Sequence, residues 1–184
     1  MEEIERLAET FLAGIPGYVW DGESLPVPIE EIADTHAGLL VRDVEDLRTA
    51  PGAPSLDQGQ SLSGLLLPTA GEIWVNAEEG RQWPGRRRFT IAHELGHWRL
   101  HRDAQEHAVF CRTASVEPPE AETRAPIPVA ENEANVFAAA VLMPARLLKE
   151  QYVACGRDFY RLCGKFGASG AAMGRRLHAV IQPR

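Results

Sequence analysis

The segment Arg88-Phe89-Thr90-Ile91-Ala92-His93-Glu94-Leu95-Gly96-His97-Trp98 constrains the fold more than any other stretch of the chain. Phe89, Ile91, Ala92, Leu95 and Trp98 give it an apolar wrapping, and the patterning predicts a buried helix from Phe89 to His101. Residues four apart on a helix share a face. His93 and His97 therefore aim two imidazoles at one point. Glu94 is offset by one residue, so its carboxylate reaches the same region without competing for the same position. Two neutral nitrogens and an adjacent carboxylate base are the mechanical content of a His-Glu-x-x-His metal helix. Gly96 sits between the histidines, where glycine costs about 1 kcal/mol against alanine. Its presence predicts close approach of another backbone or of a substrate.

A catalytic zinc takes three protein ligands and keeps a fourth position open. It lowers the pKa of its bound water to about 7, and Glu94 can take that proton and pass it to a leaving amine. The third ligand has two possible sources. The extended His-Glu-x-x-His-x-x-Gly-x-x-His pattern requires glycine at Leu100 and histidine at Asp103, so it fails. The second source is a glutamate on another helix, and Glu131-Asn132-Glu133-Ala134-Asn135-Val136-Phe137-Ala138 offers one. Glu131 is the expected ligand. Asn135, four residues on, is expected to support a zinc-bound histidine through its second ring nitrogen. Glu133 points about 200° round the helix from Glu131 and is not expected to serve the same metal. His101 drifts about 80° from His93 and reads as a cation or hydrogen bond at the helix C-terminus. The two-histidine, one-carboxylate set favours zinc over manganese or iron.

Arg88 to His101 and Glu131 to Pro144 together resemble the ImmA/IrrE family of metallopeptidases. The likeness extends to Ile73-Trp74-Val75-Asn76 before the first motif and to Phe166 through Leu177 in the tail. In the wider group the second helix carries Glu-x-x-x-Asp; here Asn135 replaces the aspartate, which this family tolerates. The resemblance implies zinc at His93, His97 and Glu131, with Glu94 as general base and acid. It also implies cleavage of a partner protein, often a helix-turn-helix repressor, in stress response, mobile-element or toxin–antitoxin regulation. Many members carry an extra DNA-binding domain. No room for one precedes the metal helix, so the expected partner is a separate repressor encoded nearby.

The rest of the sequence sets the frame. The 184 residues, 45% hydrophobic and 24% charged, suit one globular unit. The expected fold is α+β and zincin-like. A small mixed sheet from Leu39–Val44, Leu62–Leu67 and Glu72–Asn76 packs beside the two metal helices, and a helical segment closes the chain. Residues 1–145 are expected to form the metallopeptidase domain and 146–184 a helical subdomain, within one compact unit. Residues 80–88 read as a turn with a basic cluster, and 111–129, rich in proline, as a loop. The net charge of −7 disfavours general nucleic-acid binding. The tail is locally basic, with Arg157, Arg161, Lys165, Arg175, Arg176 and Arg184 beside Asp158, and Phe166 to Leu177 resembles half of a helix-turn-helix. Direct DNA contact by that tail is an alternative reading. A third is a zinc-binding regulator or toxin–antitoxin component without proteolysis. Tyr152, Tyr160 and His178 are candidates to stabilise a tetrahedral intermediate. The start Met1-Glu2-Glu3-Ile4-Glu5-Arg6 lacks signal-peptide character, no apolar run suits a membrane span, and the three cysteines form no CxxC pair. A cytoplasmic setting is the expectation.

Overall fold

The computed structural model describes residues 2–55, 60–101, 110–115 and 128–181. In chain order the elements are α1 (Glu2–Ala13), α2 (Ile29–Glu31, continued by a π turn over Ile32–His36), β1 (Leu40–Val44), β2 (Gln60–Leu67), β3 (Glu72–Asn76), α3 (Ala77–Gln82), α4 (Pro84–Leu100), β4 (Phe110–Ser115), α5 (Val129–Leu142), α6 (Ala145–Ala154), α7 (Phe159–Phe166) and α8 (Gly170–Ile181). The protein is α+β, with helices predominating over one small mixed sheet.

The sheet runs β1-β3-β2-β4. β2 and β3 form the antiparallel hairpin that two apolar runs around Pro68-Thr69-Ala70-Gly71 predict. β1 pairs parallel with β3, Val41 opposite Ile73. β4 pairs antiparallel with β2 at the far edge. It occupies residues 110–115, five of which the sequence assigns to a loop; the prolines that prompt that reading begin only at Pro118. Residues 116–127 of the expected loop, His107 and Arg184 lie outside the described residues.

A bulge between Leu62 and Gly64 interrupts the β2–β4 pairing. One extra residue reverses the faces of a strand whose side chains alternate. Beyond the bulge, Leu66 joins Ile73 and Val75 on the face toward α4. Leu62 is carried to the opposite face, where it meets Leu65, Leu67, Leu47 and Ala50 in a smaller cluster. Both faces of β2 are thus buried.

α4 is longer than its motif suggests. Residues 80–88 do not form a turn: Asn76 caps α3 by accepting from the Glu79 amide at 2.9 Å, Trp83 breaks the path, and Pro84 opens α4 at its first position. The basic run is paired as well. Arg86 meets Glu79 at 2.6 Å. Arg87 bonds Glu30 at 2.6 Å and Asp43 at 2.9 Å, joining α2, β1 and α4. The hydrogen bonds to those two carboxylates raise the Arg87 pKa further. Arg88 Nη2 donates to the Val27 carbonyl at 2.6 Å, and burial lowers its pKa.

From Phe89 to His97 every residue of α4 is buried. A helix enclosed on all sides has no solvent stripe. α4 lies between the hairpin strands β2 and β3 and the helix α5, which in turn packs on α1. α5 stops where Pro144 follows Met143, because the residue before proline is pushed out of helical conformation. α7 is capped by Asp158, which accepts from the Arg161 amide, and it ends at Gly167 in the left-handed conformation with φ 59°. The main core is continuous across the expected domain boundary: Leu147, Leu148, Leu162, Phe166 and Met173 share it with Ala8, Phe137 and Leu95.

Candidate metal centre

Three ligand-bearing side chains converge where α4 and α5 meet. His93 Nε2 lies 3.2 Å from Glu131 Oε2 and His97 Nε2 lies 3.0 Å from Glu131 Oε1. The two Nε2 atoms are 3.1 Å apart. His93, His97 and Glu131 form the only group of three or more potential ligands among the described residues. A tetrahedral zinc with bonds of about 2.0–2.1 Å spaces its ligands by roughly 3.3 Å, so each of these three distances is up to a few tenths of an ångström inside that spacing. Two histidines share a face by helical spacing. The glutamate comes from the first turn of α5, 38 positions after His93.

The approach of the two helices depends on Gly96. A Cβ there would lie 3.1 Å from Ala134 Cα and 3.2 Å from the Ala134 carbonyl oxygen. The backbone of α5 is the neighbour that this glycine anticipates. Gly64 in β2 serves the same purpose on the opposite side of α4. A Cβ there would meet Thr90 Cγ2 at 2.3 Å and approach Glu94 Oε1 to 3.5 Å.

Electrostatics favour a cation. The imidazoles are essentially inaccessible, at 1% and 0% exposure, while Glu131 is 31% exposed. Burial alone would raise the Glu131 carboxyl pKa, but hydrogen bonds and charge from His93 and His97 outweigh it and hold the group at about 2. An ionised carboxylate and two imidazole nitrogens crowded within hydrogen-bonding distance make a donor set that suits a divalent ion. Glu94 is fully buried on the same helix, close to β2.

Asn135 follows Glu131 by one helical turn, and its amide donates to the Glu131 carbonyl at 2.8 Å. Its bond thus goes to the α5 backbone, the i−4 pattern open to a polar side chain on a helix. Two other residues reach the ligands. His101 caps the end of α4, and its Nδ1 lies 3.1 Å from His97 Nδ1. The far nitrogen of His101, Nε2, lies 2.9 Å from Glu133 Oε2. Glu133, which the sequence reading does not expect to serve the metal, is not in the converging group of His93, His97 and Glu131; its link to that group runs through His101. Spacing holds the clue, because His101 repeats the four-residue step from His93 to His97.

The tail groups behave differently. Arg176 is buried; it pairs with Glu5 of α1 and its Nε donates to the Met143 carbonyl at 3.0 Å. It is a structural clamp rather than a member of an exposed basic face. Tyr160 is 84% exposed on α7, and Tyr152 packs partly buried against the main core. Among the described residues no helix is long and apolar enough to cross a membrane.

A small mixed sheet, a central helix carrying His93-Glu94-x-x-His97 and a neighbouring helix supplying Glu131 define a protein of the metallopeptidase type. The profile of the M78 peptidases, described as the IrrE N-terminal-like domain, matches residues 57–178. The chain belongs to this ImmA/IrrE family. No curated protein matches the sequence. Among solved structures, a Mycobacterium tuberculosis transcriptional regulator is similar at 19% identity with a TM-score of 0.58. The match covers 100% of this chain and 49% of that one, so the chain spans about half of its length.

Proposed function

We propose that the protein is a zinc-dependent metalloendopeptidase of zincin-like fold that hydrolyses a peptide bond in a partner protein, the expected substrate being a helix-turn-helix transcriptional repressor. One observation carries this reading: the convergence of His93, His97 and Glu131, with the two imidazole Nε2 atoms 3.1 Å apart and each within 3.2 Å of a Glu131 carboxylate oxygen, beside the buried Glu94. Zinc held there supplies a water made acidic enough to act as a nucleophile near neutral pH. Glu94, buried beside the histidine pair, would serve as the base that takes a proton from an attacking water and as the acid that returns it to the departing amine nitrogen. Glu131 contributes negative charge that offsets the ion. Asn135 holds the first turn of α5 by its bond to the Glu131 carbonyl. The repressor as substrate rests on the family resemblance of the two motifs.

The test begins with metal analysis of purified protein, followed by incubation with the repressor encoded alongside. Glu94→Gln keeps the three ligands and removes the base. Zinc content is expected to stay the same, while cleavage falls by about 10²–10⁴-fold. Undiminished cleavage by this variant would sink the proposal. A biological effect that survives the loss of cleavage would favour the non-proteolytic regulator instead.

A further inference from the structure

His97 is held at both ring nitrogens. Nε2 faces His93 and Glu131, and Nδ1 faces His101. His101 in turn faces Glu133. We infer that Glu133 and His101 form a hydrogen-bonded relay that fixes the tautomer and orientation of His97, making both of them positioning residues for the metal centre. The inference rests on the metal-centre reading above.

Proton placement has only one consistent solution. A histidine ligand needs its lone pair on the atom that faces the ion, so His97 Nε2 must be bare and Nδ1 must carry the hydrogen. That N–H can donate to His101 Nδ1 only if His101 Nδ1 is also bare. His101 must then carry its hydrogen on Nε2, which lies 2.9 Å from a carboxylate oxygen of Glu133. An ionised carboxylate accepts and does not donate. Every donor along the chain therefore meets an acceptor, and the Glu133 end sets the direction. Without Glu133, His101 gains freedom to place its hydrogen on Nδ1. That hydrogen would oppose the one on His97 and favour the His97 tautomer whose Nε2 is blocked. His101 is sheltered at 13% exposure, while Glu133, at 38%, forms the solvent-facing end of the relay. Glu133 and Glu131 leave the first turns of α5 in different directions, so one helix supplies both a ligand and the support for another ligand.

The test measures zinc affinity by competition with a chromophoric chelator. Outer partners of ligating histidines typically contribute 10–100-fold in metal affinity. Glu133→Ala and His101→Phe should each weaken zinc binding by about 10–100-fold, and the double variant should be little worse than either alone because both break one chain. Glu133→Gln retains a carbonyl oxygen that can accept from His101 and should stay within roughly threefold of the unaltered protein. Nitrogen NMR of the zinc-loaded, unaltered protein should find His101 protonated on Nε2 and bare on Nδ1. A hydrogen on His101 Nδ1 overturns the relay, whatever the variants do. Zinc affinity unchanged in Glu133→Ala overturns it too, as does a fall in apo thermal stability with no change in affinity. If the unaltered protein binds no zinc, the metal-centre reading itself fails and the relay fails with it. If zinc binds normally but the variants are silent, only the relay fails.

Discussion

At Gly64 the absence of one carbon decides whether α4 can lie on the hairpin. A Cβ there would press to 2.3 Å on the Thr90 methyl, which is itself buried. Gly64→Ala is therefore overpacking. The expected cost is about 1–3 kcal/mol, a fall of roughly 2–12 °C in thermal midpoint for a chain of this size, readable by circular dichroism. Glu94 stands beside the same glycine, so peptidase activity should drop further than zinc affinity does. Arg176 makes the opposite point about charge. It reads as one of a basic face in the sequence, because charge pattern alone cannot show that Glu5 comes from the other end of the chain to meet it. Arg176→Ala leaves the Met143 carbonyl without that donor while Glu5 can turn to solvent. A loss of about 2–3 kcal/mol in urea unfolding is expected. A DNA-contact role for the tail is better tested by neutralising the exposed Arg161 and Arg175, which leaves this clamp intact.

At the scale of elements, what is local is legible and what is relational is less so. β1, β3 and α5 fall within a residue or so of their expected bounds, because alternation, helical periodicity and the Met143-Pro144 stop are all local signals. α4 begins five residues earlier than its apolar pattern implies. Arg86, Arg87 and Arg88 look like a solvated turn until Glu79, Glu30, Asp43 and the Val27 carbonyl are brought to them from other segments. The same limit applies at the centre. Three of its residues, His93, Glu94 and His97, are announced by one pentapeptide. Glu131 is reached by ruling out the extended motif, whereas the link from Glu133 to His101 depends on how α4 and α5 cross. Gly96 governs that crossing. Gly96→Ala should push α5 outward by a few tenths of an ångström and carry Glu131 with it, although alanine is the better helix former. Zinc affinity should therefore fall by about tenfold or more with little change in helicity, as seen by chelator competition alongside circular dichroism.

The whole molecule is built around α4, with nine consecutive buried residues between sheet and helices. Its candidate ligands His93 and His97 are also core side chains, so metal binding there would be coupled to folding. An ion that binds only the folded chain stabilises it by about 4 kcal/mol at a thousand times its dissociation constant. Added zinc should raise the thermal midpoint of the unaltered protein and leave that of a His93→Ala variant unmoved, a comparison for differential scanning calorimetry. The contact between Gly96 and Ala134 has a consequence of another kind. Because two packed backbones meet there, the gap between the histidine pair and Glu131 is set by van der Waals radii before any ion arrives. The crossing acts as a gauge: an ion of zinc's radius would need only a few tenths of an ångström of give, while a larger one would have to push a pair of core helices further apart. Selectivity among divalent metals would then be written in a steric contact of the same helix crossing that brings the ligands together, and filling Gly96 should narrow the preference for zinc over manganese.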